Sequence, residues 1–155
     1  MTIFSKDLET KSAEELIQWT MDQYGLKAGL ACSFGMEDMV LIDMIAKLKG
    51  PITIFTLDTG RLHEETYEIM ERVRSHYGLE IKTYFPDNGQ VEKLVRGKGF
   101  FSFKESIENR KECCAIRKIE PLNRALSELD AWVTGLRRDQ AVTRTETPKV
   151  IEDAD

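Results

Sequence analysis

Residues 27–57, KAGLACSFGMEDMVLIDMIAKLKGPITIFTL, hold two short apolar runs with one helical segment between them. The first run, Lys27 to Ser33, is small and apolar and ends at Phe34-Gly35, which predicts a buried strand and a turn. Glu37 to Leu48 places its apolar residues on one side of a helix and stops before a Gly-Pro pair. Ile52 to Leu57 is rich in β-branched and aromatic residues and predicts a second strand. Strand, helix and strand in this order predict a βαβ unit with parallel strands.

The rest of the chain repeats this alternation. Ser12 and Glu15 form a capping-box pattern at the start of a helix. The other predicted elements are helices over residues 12–24, 63–77 and 113–129 and strands over residues 79–85 and 131–135. Residues 90–110 show no regular period, and Val150-Ile151 is the candidate fifth strand. The alternation predicts a single α/β domain over residues 1–155, with a doubly wound, mostly parallel sheet and helices on both faces.

Composition and charge narrow the class of protein. Of the 155 residues, 41% are hydrophobic and 32% are charged, which excludes a disordered chain and allows one real core. No apolar run approaches the ~18 residues of a membrane span, and the first residues carry no secretory signal. We therefore expect a cytoplasmic protein with no membrane partner. The net charge of −5 argues against a nucleic-acid partner.

Ligands of doubly wound sheets bind beyond the carboxyl ends of the strands. Four segments of this sequence fall at such ends: Ser33-Phe34-Gly35, Asp58-Thr59-Gly60, Pro86-Asp87 and Gly135-Leu136-Arg137-Arg138. Ser33 and Gly35 precede a helix, whose first N–H groups suit a phosphate or a sulfate. The same residues are compatible with a tight turn and a capped helix, because no Walker pattern follows them.

The exits of the second and fourth strands offer different chemistry. Gly60 lets the backbone turn or approach a ligand closely. Asp58 and Thr59 can accept hydrogen bonds from ribose hydroxyls or from a base. Arg137 and Arg138 can pair bidentately with phosphate-like oxyanions. The alternative for residues 58–60 is a turn that caps a helix, and the alternative for Arg137 and Arg138 is a pair of solvated ion pairs.

The three cysteines are Cys32, Cys113 and Cys114. An odd number of cysteines in a cytoplasmic chain does not indicate a disulfide framework. Cys32 lies in an apolar strand and fits a small buried hydrophobe. Neighbouring residues on a helix point about 100° apart, so Cys113 and Cys114 fit poorly as two core residues. Thiolates ligate iron–sulfur clusters, so the pair indicates part of a ligand set, and the alternative is two helical thiols without a role.

Taken together, four segments resemble the assimilatory adenylyl-sulfate reductases, within the phosphoadenylyl-sulfate reductase family of the PP-loop, or adenine nucleotide alpha-hydrolase-like, fold. The matching segments are CSFGMEDMVLIDM (32–44), FTLDTGRLHEETYE (55–68), RKECCAIRKIEPLNRAL (110–126) and WVTGLRRDQAVTR (132–144). The tandem cysteines resemble the type that carries a cluster and acts on adenylyl sulfate.

The resemblance implies thiol-dependent reduction of adenylyl sulfate to sulfite and AMP, in sulfate assimilation and cysteine biosynthesis. Cys113 and Cys114 would supply two of the four ligands of a [4Fe–4S] cluster, and thioredoxin or a similar thiol would donate electrons. The residues implied to bind adenylyl sulfate or AMP are Ser33 and Gly35 for the phosphosulfate or nucleotide, Asp58, Thr59 and Gly60 beside the adenosine, and Lys118, Arg137 and Arg138 for the sulfate and phosphate oxygens.

The family continues past these segments with a Cys-x-x-Cys pair and a Glu-Cys-Gly motif that holds the nucleophile. Neither motif occurs up to Asp155. We therefore expect the catalytic nucleophile to lie beyond that residue, and this polypeptide to bind adenylyl sulfate or AMP without releasing sulfite. Two alternatives stay open: a PP-loop ATP-dependent enzyme, whose turn typically has more glycines than residues 33–38, and a non-catalytic adenine-nucleotide or metal-binding module. The oligomeric state is also open, a homo-oligomer included.

Overall fold

The computed structural model of the protein describes residues 6–152. The strands are β1 (Ala28–Ala31), β2 (Thr53–Leu57), β3 (Ile81–Tyr84) and β4 (Ala131–Thr134). The helices are α1 (Lys6–Thr10), α2 (Ala13–Tyr24), α3 (Met36–Leu48), α4 (Glu64–Tyr77), α5 (Asn88–Lys98), α6 (Ile107–Cys114) and α7 (Glu120–Leu126), with a π-helical turn (Ala115–Ile119) between the last two. The strands form a parallel sheet in the order β3-β2-β1-β4, which confirms the predicted doubly wound α/β architecture.

The two faces of the sheet are covered by different helices. Leu30 of β1 lies opposite Ile54 of β2, and both belong to the core that α2, α3 and α4 close on one face. Gly29 points to the other face, because successive strand residues alternate between faces. A Cβ at Gly29 would lie 2.4 Å from a methyl carbon of Leu129 and 3.3 Å from Phe55, so a larger residue there would require the Leu129 side chain to shift. On that face α7 packs against β2 and β3 and buries Ala125.

The start of α2 follows the predicted capping box. The N–H of Ser12 donates to the Glu15 carboxylate at 2.7 Å, and the N–H of Glu15 donates to Ser12 Oγ at 3.2 Å. Each bond satisfies a backbone donor that has no partner within the helix. The predicted helices over residues 37–48 and 63–77 are confirmed as α3 and α4, and α4 ends at Gly78 in the left-handed conformation with φ +63°.

Three predictions about local structure are wrong. Residues 90–110 are not irregular, because α5 occupies Asn88–Lys98 and α6 begins at Ile107. Side-chain caps start both helices: Asp87 accepts the Gln90 N–H at 2.9 Å, and Ser106 Oγ accepts the Asn109 N–H at 3.0 Å. The helix predicted from residue 113 therefore starts earlier.

The candidate fifth strand at Val150-Ile151 does not form. The neighbouring Lys149 instead donates its N–H to the Glu9 carboxylate of α1 at 3.0 Å. That hydrogen bond holds the segment after β4 against a helix rather than against the sheet. Within residues 6–152, none of the helices is both long and apolar enough to cross a membrane.

Candidate functional site

The strand order places a crevice between β1 and β4. The chain builds outward from β1 through β2 to β3 and then returns to the opposite side of β1, so the direction of winding reverses there. Ligands of open α/β sheets bind at such a reversal, beyond the carboxyl ends of the strands. The two exits meet in this structure, because a Cβ at Gly135 would lie 2.5 Å from Asp38 Oδ1.

The loop after β1 is fixed by a buried carboxylate. Asp38 Oδ2 accepts both the Ser33 N–H at 2.6 Å and the Ser33 hydroxyl at 2.8 Å. Phe34 adopts a left-handed conformation with φ +62°, which is strained for an aromatic residue, and its ring is buried in the core. Gly35 then caps α3 without a side chain of its own. The loop is therefore held in one shape with its backbone turned toward the start of α3.

The segment after β4 brings one of the two predicted arginines to this loop. Arg137 Nη2 lies 3.2 Å from Oε1 of Glu37, the second residue of α3, and Arg137 Nε lies 3.4 Å from Asp139. Arg138 points elsewhere: its Nε donates to the Thr147 carbonyl at 2.9 Å, and it forms an ion pair with Glu9 of α1. The structure thus brings Arg137 to the start of α3, directly after the loop that holds Ser33 and Gly35, and ties Arg138 to another part of the surface.

The exit of β2 is held by a second buried carboxylate. Asp58 accepts the Gly60 N–H at 2.7 Å and the Tyr67 hydroxyl at 2.8 Å. The hydrogen bond to Asp58 raises the pKa of Tyr67, because ionised Tyr67 would lose it and face the carboxylate charge. Gly60 has φ +70°, a conformation that side chains rarely adopt. Thr59 lies between Asp58 and Gly60, so the three predicted residues form one tight turn.

Arg117 was not singled out from the sequence and is central to this turn. Its side chain is buried, and its Nη1 donates to the Thr59 carbonyl at 2.6 Å. Its Nε is buried, and none of the residues that the structure describes accepts a hydrogen bond from it. A spacing of four residues could have found it, because Arg117, Pro121 and Ala125 are all buried along one side of the helical segment.

The tandem cysteines lie directly before the π-helical turn. Cys113 and Cys114 are the last residues of α6, and both are free thiols that are partly buried. Single π-helical turns are often found at functional sites. Lys118 is exposed within that turn. Across the described part of the chain, no group of three or more His, Cys, Asp or Glu side chains is arranged to hold a metal ion.

Cys32 differs from the tandem pair in its surroundings. It is 5% exposed, and burial raises the pKa of its thiol to about 12. The Phe34 N–H donates to its sulfur at 3.3 Å, which lowers the pKa by a smaller amount. A protonated, buried thiol is a poor nucleophile and a poor metal ligand, so Cys32 is a core residue, as predicted.

A parallel sheet of this order, with a crevice at its winding reversal, defines a protein of the doubly wound α/β class. Comparison with known proteins gives the family. Residues 27–155 match the model of the phosphoadenosine phosphosulfate reductase domain. The chain belongs to that family.

Similar proteins carry names that agree with the family. The chain is 51% identical over 120 residues to "Adenosine 5'-phosphosulfate reductase" of Burkholderia cepacia, covering 77% of this chain and 48% of that protein. It is 45% identical over 147 residues to "5'-adenylylsulfate reductase 1, chloroplastic" of Arabidopsis thaliana, covering 94% of this chain and 31% of that protein. The chain therefore spans about a third to a half of the length of these relatives.

A solved structure supports the fold. The phosphoadenylyl-sulfate reductase of Candida auris, solved as a phosphate complex, superposes with a TM-score of 0.73 over 90% of this chain and 72% of that chain. The two sequences are 24% identical, so the likeness bears on the fold, which it confirms as that of the phosphoadenylyl-sulfate reductases.

Proposed function

We propose that this chain is the adenylyl-sulfate-binding part of a thiol-dependent reductase that converts adenylyl sulfate to sulfite and AMP in sulfate assimilation. The proposal covers residues 1–155 as one binding domain. It is supported by the identity of 45–51% to proteins named as adenylylsulfate reductases. The observation that carries it is the contact between the Asp38-anchored loop and the β4 exit, which brings Arg137 to the start of α3.

The exposed groups at the two exits suit the parts of the ligand. An adenylated sulfate carries two adjacent oxyanions, which backbone N–H groups at a helix start and guanidinium groups both bind well. The Thr59 hydroxyl, in the turn after β2, suits the ribose or the base. The proposed binding residues are Ser33 and Gly35 for the oxyanions, Asp58, Thr59 and Gly60 for the adenosine, and Lys118 and Arg137 for the negative charge. Arg138, which the sequence also predicted, is left out because it bonds Thr147 and Glu9 instead.

The reaction requires a thiolate and a good leaving group. A cysteine thiolate attacks the sulfur of adenylyl sulfate, the S–O bond to the phosphate breaks, and AMP leaves with the electron pair of that bond. A dithiol of the thioredoxin type then attacks the cysteine sulfur, which releases sulfite and leaves a disulfide. Fixed cations lower the barrier to the first step, because negative charge grows on the AMP phosphate. Arg137 and Lys118 are the proposed sources of that charge.

No nucleophile is proposed within residues 6–152. Cys32 is protonated and buried, and Cys113 and Cys114 are assigned to iron. Their partly buried thiols at a helix end have the right donor chemistry for two ligands of a [4Fe–4S] cluster. Such a cluster would lie directly before the helical turn that carries Lys118 and would be held there by thiolate ligands. A cytoplasmic location, a thioredoxin-type donor and a homo-oligomer remain predictions from the sequence.

Equilibrium binding tests the proposal. We expect calorimetric titration of this polypeptide with AMP and with adenylyl sulfate to show saturable binding, and Arg137→Gln to weaken it about tenfold, the typical loss of a charge-assisted contact. Arg74→Gln is the matched control, since Arg74 also pairs with a glutamate, at 2.5 Å, but lies in the last turn of α4. Equal affinities of the wild type and both variants, or no binding by any of them, would contradict the proposal.

Two further measurements address the cluster and the nucleophile. Anaerobic loading with iron and sulfide is expected to give iron binding that Cys113→Ser and Cys114→Ser each reduce, while Cys32→Ser leaves it unchanged. Incubation with adenylyl sulfate and dithiothreitol is expected to release no sulfite. Sulfite release by this polypeptide alone would overturn the proposal that none of its three cysteines is the nucleophile.

A further inference from the structure

Glu37 occupies the position at the start of α3 where an oxyanion would bind. It is the second residue of the helix, and its N-cap, Gly35, has no side chain to satisfy the first N–H groups. The Glu37 carboxylate folds back onto its own backbone N–H, and its Oε2 lies 3.4 Å from where a Cβ of Gly35 would be. The carboxylate is therefore an internal substitute for an anion at this loop.

The groups after β4 hold this carboxylate in place. Arg137 Nη2 lies 3.2 Å from Glu37 Oε1, and the Gln140 side-chain amide donates to the same oxygen at 3.1 Å. Gln140 in turn accepts from Arg144 at 2.6 Å. These contacts, after the bond to its own N–H, lower the pKa of Glu37, so the side chain carries a full negative charge at neutral pH.

Among the described residues, the groups around Glu37 carry charges of both signs. Arg137 pairs with Glu37 directly, and Arg144 is linked to it through Gln140. The nearby carboxylates are Asp38, whose Oδ2 is used by Ser33, and Asp139, which lies 3.4 Å from Arg137 Nε. Arg137 is thus shared between two carboxylates. A ligand that approaches this loop meets a net negative local charge unless it can displace Glu37 from Arg137.

We propose that Glu37 is a specificity-determining residue that discriminates adenylyl sulfate from ADP by charge. This inference rests on the proposed function. The two nucleotides have nearly the same shape and differ in the terminal group, since a sulfate carries one negative charge and a terminal phosphate carries close to two at neutral pH. Repulsion from a fixed carboxylate grows in proportion to the ligand's charge, so Glu37 disfavours ADP more than adenylyl sulfate. Discrimination by a repulsive group of this kind needs no added attraction to the preferred ligand.

Titration of three proteins with three ligands tests this inference. The proteins are the wild type, Glu37→Gln and Glu65→Gln, and the ligands are adenylyl sulfate, ADP and inorganic pyrophosphate. Glu65 is a matched control, because it is also the second residue of a helix that follows a neighbouring strand, and it is exposed. We expect Glu37→Gln to bind ADP and pyrophosphate about tenfold more tightly and adenylyl sulfate no more than about threefold more tightly. Glu65→Gln should match the wild type, and the melting temperatures of all three should confirm folding.

The outcomes separate the inference from the proposed function. If the wild type binds adenylyl sulfate and Glu37→Gln changes no affinity, or raises those for ADP and adenylyl sulfate equally, the inference is overturned and the proposed function stands. If no protein binds either nucleotide but Glu37→Gln gains affinity for pyrophosphate, the proposed function fails while the repulsive role of Glu37 at this loop is supported. If no ligand binds to any of the three proteins, both fail.

Discussion

The substitution Gly135→Ala tests whether the exits of β1 and β4 form one unit. The added methyl carbon would lie 2.5 Å from Asp38 Oδ1 and 3.1 Å from Glu37 Cβ, and the first distance is shorter than real contacts of a Cβ atom. The Asp38 carboxylate cannot move away from the new methyl group without breaking the hydrogen bonds that its Oδ2 accepts from the Ser33 N–H and hydroxyl. Each hydrogen bond to a charged group contributes about 1.5–3 kcal/mol.

The expected loss of stability is less than the sum of those two bonds. Ser33 is exposed, so water replaces part of what Asp38 gives up. We therefore expect Gly135→Ala to lower the free energy of unfolding by about 2–3 kcal/mol, which corresponds to a fall in melting temperature of roughly 5–10 °C for a domain of this size. Urea unfolding followed by circular dichroism measures the first quantity, and a thermal scan measures the second.

Gly97→Ala is the control for the loss of a glycine. Gly97 lies near the end of α5, and a Cβ there would meet no atom within 4 Å. Alanine favours a helix over glycine by about 0.5–1 kcal/mol, so this variant should be as stable as the wild type or slightly more stable. If Gly135→Ala unfolds at the same urea concentration as Gly97→Ala, the contact between Gly135 and Asp38 is not tight, and the argument for a joint site at β1 and β4 is refuted.

Three further predictions concern other parts of the molecule. Tyr67→Phe removes one of the two hydrogen bonds that position the Asp58 carboxylate. We expect it to lower the free energy of unfolding in urea by about 1 kcal/mol and to weaken AMP binding. Unchanged AMP binding would show that the orientation of Asp58 is set by Gly60 alone. Ser12→Ala removes the capping hydrogen bond to the Glu15 N–H and should lower the free energy of unfolding by about 1 kcal/mol, while a loss close to zero would mean that water caps α2 equally well. Burial raises the pKa of the Cys32 thiol from 9.0 to about 12, so the folded state keeps a proton that the unfolded state releases. The free energy of unfolding should therefore fall as pH rises from about 9 towards 12, by at most about 1.4 kcal/mol per pH unit. Cys32→Ala should make this fall less steep, and an equal slope in both proteins would contradict the assignment of Cys32 to the core.

The fold could be predicted because its helices have an apolar side and its strands are short apolar runs bounded by turn residues. The apolar residues of β1 and β2 lie on a sheet that is covered on both faces, so their sequence is a continuous apolar run rather than an alternation. Helix α5 was missed for the opposite reason. Its sequence begins Asn88-Gly89 after a proline and contains Gly97, and these residues usually indicate a turn. The Asp87 cap and the burial of Leu94 outweigh the low helix propensity of the two glycines.

The residues at the strand exits could be predicted, but their partners could not. A sequence shows that Ser33, Asp58 and Arg137 each follow a strand. It does not show that Arg137 contacts Glu37 and Arg138 contacts Glu9, because these side chains leave the backbone in opposite directions and meet residues far away in the chain. Pairing two adjacent arginines in one anion site is a natural assumption from sequence. The structure separates them because Arg137 is extended while Arg138 begins a 3₁₀ turn over Arg138–Gln140, so the backbone changes direction between them.

The carboxylates at this edge of the sheet must be offset by cations before an anion can bind. Asp38 and Asp58 lie at adjacent strand exits, both are buried, and their oxygens accept hydrogen bonds from Ser33, Gly60 and Tyr67. These bonds fix the shape of each loop, but neutral donors do not cancel the charge of a carboxylate. The cation that the structure places at the start of α3 is Arg137, and it is already paired with Glu37. The contest between Glu37 and an incoming oxyanion for Arg137 is therefore the step at which the sign and size of the ligand's charge determine binding.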